Sequence, residues 1–160
     1  MSTIPETVAQ DELPALARLA RESAQKVFDK LPILGPVAWL MMQQAGSRHT
    51  LLSELEWRVM PALALDQAKL YLKGTTPIAF VSWARLGEAA AERYCNAPHH
   101  LASSDWTSGD QVWLVDILAP FGNAKEVFSD VRENMFAGQV VRQLLPDAST
   151  RARVMAWPAA

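Results

Sequence analysis

The run Gln111–Phe121, QVWLVDILAPF, sets the strongest limit on the fold. Val112, Trp113, Leu114, Val115, Ile117 and Leu118 make it apolar on both faces, which suits a strand covered on two sides and excludes an edge. Such a strand needs neighbours to left and right and layers above and below. The flanking sequence can supply them. Before the run, Ala68, Leu70 and Leu72 alternate with Lys69, Tyr71 and Lys73, a turn follows at Gly74–Pro77, and Ile78–Ala84 completes a predicted hairpin. After it, Pro120 and Gly122 lead into a helix starting at Asn123, with Val127, Phe128 and Val131 apolar. QVVRQLLPDASTRARVMAW then reads as a second hairpin.

The N-terminal third is helical by periodicity. Pro14–Leu31 spaces Leu16, Ala20, Ala24, Val27 and Leu31 as the apolar stripe of an amphipathic helix. Gly35-Pro36 opens a second helix, Val37 to Gln44, and Gly46 closes it. Thr50 caps a third that runs to Met60 and stops at Pro61. GEAAAERYC is a short helix and DWTSGD a polar loop. The expected architecture is a single-domain α/β fold, a mixed sheet flanked by helices, with residues 1–34 as an N-terminal helical extension and 35–160 as the domain proper.

Composition excludes several classes. A net charge of −2 spread along the chain offers no basic stripe for nucleic acid. The longest apolar run, Leu31–Met42, holds two prolines and falls short of the ~20 residues that cross a bilayer. The acidic, polar start is no secretory signal, and the lone Cys95 suits a reducing cytoplasm.

Asp116 is the residue that chemistry must explain. By period two it shares a face with Val112, Leu114 and Leu118, where an unpaired carboxylate costs several kcal/mol. Two readings are open: a structural carboxylate bonded to amides or an arginine, and a catalytic or ligand-orienting one. His49, at the mouth of the third helix, is either a surface residue or a base whose far ring nitrogen meets such a carboxylate. Ser47 lacks the Gly-x-Ser-x-Gly setting of an exposed nucleophile. Cys95, His99 and His100 match no zinc spacing, so no metal is expected. Gly122 and Asn123 deliver the chain into a helix N-terminus, which is either a tight turn or an anion-binding end. Trp39, Trp83 and Trp113 lie in apolar runs and read as framework, whereas Trp106 sits in the polar loop and could face a cleft.

VAWL (Val37–Leu40), the histidine after it, MPALALDQ (Met60–Gln67), PIAFVSWA (Pro77–Ala84) and above all DWTSGDQVWLVDILAPFG (Asp105–Gly122) resemble the RTX toxin-activating lysine acyltransferases, which fatty-acylate hemolysin-type protoxins on internal lysines. The resemblance runs from about Gly35 to Trp157 and marks a divergent member with an added N-terminal helix and less chain beyond Trp157. It implies a GNAT-like fold, places the family's essential histidine and aspartate on His49 and Asp116, and sets its serine at Ser47 and a helix asparagine at Arg58. Ser47, Arg58, Trp106, Gly122 and Asn123 are the expected substrate contacts.

A thioester donor is already activated, so the enzyme needs no covalent nucleophile; it needs a neutral lysine amine, and free lysine titrates near ~10.4. His49 would take the proton, Asp116 would support its charge, and backbone amides of the central strand would hold the oxyanion. The implied donor is the acyl-phosphopantetheine thioester of an acyl carrier protein, a co-substrate with no further cofactor. Such carriers are acidic, so Arg142, Arg151 and Arg153 are either a docking patch or charges protecting a sheet edge. The acceptor is a lysine-bearing protein or peptide. Transfer to a small amine, a silent binding relative and a homodimer are all compatible with the sequence.

Overall fold

The computed structural model describes residues 12–145 and 150–160. Its helices are α1 (Glu12–Gln43), α2 (Leu55–Arg58), α3 (Met60–Ala64), α4 (Glu88–Cys95) and α5 (Ala124–Asp130). Its strands are β1 (Ala68–Lys73), β2 (Thr76–Leu86), β3 (Gln111–Leu118), β4 (Val141–Leu145) and β5 (Arg153–Trp157), joined in chain order into one five-stranded sheet. β3 is central, as its two-sided hydrophobicity requires. β1–β2, β2–β3 and β4–β5 are antiparallel and β3–β4 is parallel, so the chain must cross over between β3 and β4, which it does through α5. Both predicted hairpins form; the turn of the second, residues 146–149, lies outside the described residues, as do residues 1–11.

α1 differs from expectation. It is one helix that passes through Pro32 and Pro36, with no break at Gly35-Pro36 and none at the 34/35 boundary. Each proline removes the hydrogen bond to the carbonyl four residues back, at Phe28 and at Pro32, yet the helix continues because its last turns are anchored. Val37, Leu40 and Met41 are buried against Leu55, Val59, Leu63, Phe80 and Leu118, each burial stabilising by about 1.5–3 kcal/mol. The first part of α1 lacks such cover, and Leu13, Leu16, Leu19, Val27 and Phe28 stay exposed. The third predicted helix is split. Leu51, not Thr50, precedes its first turn, with the Leu51 N–H donating to Glu54 Oε2 at 2.9 Å, and Pro61 sits in the first turn of α3 instead of ending a helix.

The β2–β3 register shifts by one residue between Ser82 and Trp83. Ser82 pairs with Asp116 but Trp83 pairs with Leu114, so Val115 is an extra residue, a bulge. A one-residue slip flips every side chain that follows it. Asp116 and Leu118 therefore share a face with Trp113, packed toward α1–α4, while Val112 and Leu114 face α5 with Val131 and Phe136. The predicted grouping of Asp116 with Val112 and Leu114 is broken by that bulge.

The segment DWTSGD is also less of a loop than it reads. Asp105 and Trp106 form a buried 3-10 turn, with Trp106 0% exposed in the cluster around Leu86, Tyr94 and Trp113. Gly109 lies against Gly87: a Cβ at Gly109 would stand 2.4 Å from the Gly87 Cα. The polar letters of this stretch mark a close backbone crossing. Trp113 is buried and Trp83 half-buried as framework, but Trp39 is 37% exposed and rests on Phe121, with ring centroids 5.6 Å apart.

Candidate active site

The parallel ladder between β3 and β4 holds only from Val112–Val141 to Leu114–Gln143. Beyond it lies a cavity of about 330 Å³ whose walls include Val115, Asp116 and Ile117 from β3, Gln143 and Leu144 from β4, Ser47 from the turn after α1, Trp57 and Arg58 from α2, Tyr94 from α4 and His99 from the loop after α4. Strand backbone left without a neighbour needs other partners. Gln44 supplies them: its Nε2 donates to the Ile117 carbonyl at 3.1 Å and its Oε1 accepts from the Ala119 N–H at 2.9 Å, so its side-chain amide stands in for an adjacent strand.

Asp116 is 3% exposed, and its carboxylate is met by Arg58. Arg58 Nε donates to Oδ1 and Oδ2, both at 2.9 Å, and Nη2 also donates to Oδ1. The Asp116 N–H donates to Ser82 Oγ at 3.2 Å, fixing the strand at the bulge. Burial pushes the Asp116 carboxyl up, and the hydrogen bonds and charge of Arg58 oppose it. Burial likewise works against the charge on Arg58, and Asp116 more than restores it, so the guanidinium stays cationic. Tyr94, buried beside the pair, is raised by burial and then by the Asp116 charge, which keeps its hydroxyl protonated.

The expected pairing of Asp116 with His49 is thus not the one the structure makes. The bulge turns Asp116 toward the helical layer, where α2 presents Arg58. His49 is exposed on the turn after α1; Gly46 and Ser47 from that turn line the cavity and His49 does not. Ser47 is 5% exposed, with its N–H on the Gln44 carbonyl at 3.0 Å. Ser47, Arg58 and Asp116 line one cavity, and other expected contacts lie outside it. Trp106 is sealed in the core. Gly122, at φ +84, lies past the end of β3, and Asn123 lines a separate groove with Trp39, Ile78 and Phe121. Asn123 Nδ2 donates to the Ile78 carbonyl at 3.4 Å, and its Oδ1 is buried without a partner among the described residues.

The three arginines do not form one patch. Leu145 pairs with Arg153 and Arg142 with Ala156, an odd offset that puts Arg142 and Arg153 on opposite faces of the sheet. Arg151, ahead of β5, forms a two-point ion pair with Glu92. Sequence reasoning does not single out Gln44, Trp57 or Tyr94, which line the cavity, because nothing local signals them, and it weighs His99, also in the wall, only as a metal ligand. Among the described residues no group of three or more His, Cys, Asp or Glu is arranged to hold a metal.

A mixed sheet whose central parallel pair parts over a polar cavity is a GNAT-like acyltransferase architecture, in keeping with the resemblance read from the sequence. The RTX toxin acyltransferase family model matches residues 26–158, and the chain belongs to that family. It is 35% identical over 126 residues to the RTX-I toxin-activating lysine-acyltransferase of Actinobacillus pleuropneumoniae, an alignment covering 79% of this chain and 73% of the relative. It is 34% identical over 123 residues to a protein-lysine myristoyltransferase of Kingella kingae, covering 77% and 73%. A protein-lysine myristoyltransferase of Escherichia coli is 33% identical over 120 residues, covering 75% and 70%. No helix of the described residues is long and apolar enough to cross a membrane.

Proposed function

We propose that this protein moves a fatty acyl group from the phosphopantetheine thioester of an acyl carrier protein to the ε-amine of a lysine in a protein acceptor, an RTX-type protoxin or a related protein, in the cytoplasm. The observation that carries the reading is the cavity at the end of the β3–β4 ladder, in a chain whose relatives are named lysine acyltransferases and myristoyltransferases. A flexible thioester arm suits a site where two parallel strands stop pairing, because the gap between them leaves room for an extended chain.

The carbonyl carbon is activated by its sulfur, so the protein's contribution is position, charge and proton removal. Asp116 acts as a positioning residue: held through two oxygens, it fixes the Arg58 guanidinium at the cavity wall. Arg58 Nε and Nη2 are committed to Asp116, and its remaining donor edge offers charge-assisted hydrogen bonds to the oxyanion that develops as the amine attacks. Ser47, on the same wall, adds a hydroxyl that orients the arm or the amine. Proton removal falls to an imidazole on a segment that borders the cavity, and both the turn bearing His49 and the loop bearing His99 qualify by location. Carrier docking is by basic side chains near β5, where Arg151 and Arg153 lie on an edge strand or beside it.

The test is a comparison of donors. Purified protein is given a lysine-bearing acceptor with either acyl carrier protein or acyl-coenzyme A as thioester, over a salt series. Faster acylation from the carrier, with a Michaelis constant that rises with salt, is expected because exposed charges are screened. Equal use of both donors without salt dependence removes the carrier from the proposal.

A further inference from the structure

We propose that His99 is the base that deprotonates the acceptor lysine; this rests on the acyl-transfer reading. Three histidines, His49, His99 and His100, stand on segments that border the cavity, and of these His99 alone forms part of its wall. Its Nδ1 lies 3.1 Å from the Tyr94 carbonyl oxygen. A carbonyl can only accept, so Nδ1 carries the hydrogen and Nε2 of the neutral ring keeps its lone pair. That is the tautomer a base needs, fixed by a main-chain group.

The loop that holds the ring is itself held. The His99 N–H donates to the Asn96 carbonyl at 2.9 Å, the Ala97 N–H to the Thr150 carbonyl at 2.8 Å, and the Ala152 N–H to the Cys95 carbonyl at 2.9 Å. The next residue, His100, stacks on Trp57 with centroids 4.4 Å apart. His99 itself has φ +60, a strained conformation for a residue with a side chain and one that recurs at functional sites. His49 has no comparable anchorage: it is exposed, and no hydrogen bond fixes its ring among the described residues.

His99 Nε2 takes one proton from the ε-ammonium and passes it to water. The neutral amine attacks the thioester carbonyl and the carbon–nitrogen bond forms. The second proton on nitrogen travels through the same Nε2 to sulfur as the carbon–sulfur bond breaks, so amide, free thiol and one hydrated proton result. The cationic Arg58 faces the same space, which favours the neutral amine over the ammonium once the first proton has gone.

The test uses His99→Asn in the full chain. Asparagine tolerates positive φ, and its Nδ2 can keep donating to the Tyr94 carbonyl, so the loop is preserved while the Nε2 lone pair is lost. Transfer is measured to a peptide acceptor with lysine and to the same peptide with thialysine, whose amine gives up its proton more readily. His99→Asn should slow transfer to lysine by about 100-fold, with a clearly smaller loss on thialysine, and His49→Gln should lose less than His99→Asn. Thermal unfolding of each variant checks that its fold is intact. Equal losses on the two amines would make His99 a structural residue and overturn the proposal. So would the larger lysine-specific loss falling on His49→Gln. Wild-type protein that acylates neither amine would overturn the acyl-transfer reading itself, and the base with it.

Discussion

Arg58→Met is the perturbation that best isolates the paired charge in the site. It leaves the Asp116 carboxylate, 3% exposed, without the group that meets both its oxygens. Removing one side of a buried pair costs about 3–5 kcal/mol, against about 0–1 kcal/mol for a surface pair. The Arg58 side chain is 24% exposed, so water can partly replace it and the lower end applies, about 3 kcal/mol. For a chain of this size that corresponds to a fall in Tm of roughly 6–12 °C. Replacing both residues, Arg58→Met with Asp116→Leu, removes the stranded charge and should recover most of the loss, because the pair's own desolvation cost disappears with it. Urea unfolding followed by tryptophan fluorescence, on wild type, both single variants and the double variant, gives the coupling directly. The pH dependence supplies a second check. With Arg58 gone, burial acts unopposed to raise the Asp116 carboxyl above its unfolded value. The folded state then binds the proton more readily than the unfolded state, so the deficit of Arg58→Met should shrink as pH falls from neutral toward the acid range. A single variant within about 1 kcal/mol of wild type, or losses that simply add, would refute the reasoning.

Gly109→Ala should destabilise by more than about 2 kcal/mol, since its Cβ would stand 2.4 Å from the Gly87 Cα and backbone must move; a fall in urea midpoint no larger than that of an exposed substitution such as Ser104→Ala would show the crossing is loose. Hydrogen bonds from Lys69, Tyr71 and Asn134 hold the Asp130 carboxyl at about 2, against 3.8 unperturbed. A lowered carboxyl stabilises the fold above its unfolded value and loses that contribution as pH falls through the window from 3.8 toward 2, so Asp130→Asn should flatten the acid limb of the stability curve there; an unchanged limb in acid unfolding contradicts this.

Much of the fold is legible because it is local. Period two in Ala68–Lys73, and apolarity on both faces of Gln111–Leu118, report strands and a central position without reference to anything distant. What misleads is also local. Pro36 is read as a helix start because proline lacks a donor, but burial of Val37, Leu40 and Met41 outweighs the lost hydrogen bonds. The bulge at Val115 is invisible to period counting, and it decides which side of the sheet Asp116 serves. Asp116 itself stands out in the sequence, since a carboxylate amid valine and isoleucine demands a partner. The identity of that partner does not, because Arg58 lies on α2 and meets Asp116 only once the sheet and helices have packed. His99 fails to stand out for the same reason: its value comes from the Tyr94 carbonyl and the cavity, neither of which has a signature in CNAPHH.

The central claim, that the cavity between β3 and β4 is where an acyl group passes to lysine, is tested most directly by the mass of the acceptor. Wild type and Gln143→Trp, which fills the cavity from the β4 side without altering Arg58, Asp116 or either histidine, are each incubated with acyl carrier protein bearing a myristoyl thioester and a lysine-containing acceptor. The account predicts one myristoyl mass on the acceptor with wild type, in a linkage that survives hydroxylamine as an amide does, and little or none with a folded Gln143→Trp. An unmodified acceptor with the donor thioester intact, or equal acylation by the cavity-filled variant, would contradict it.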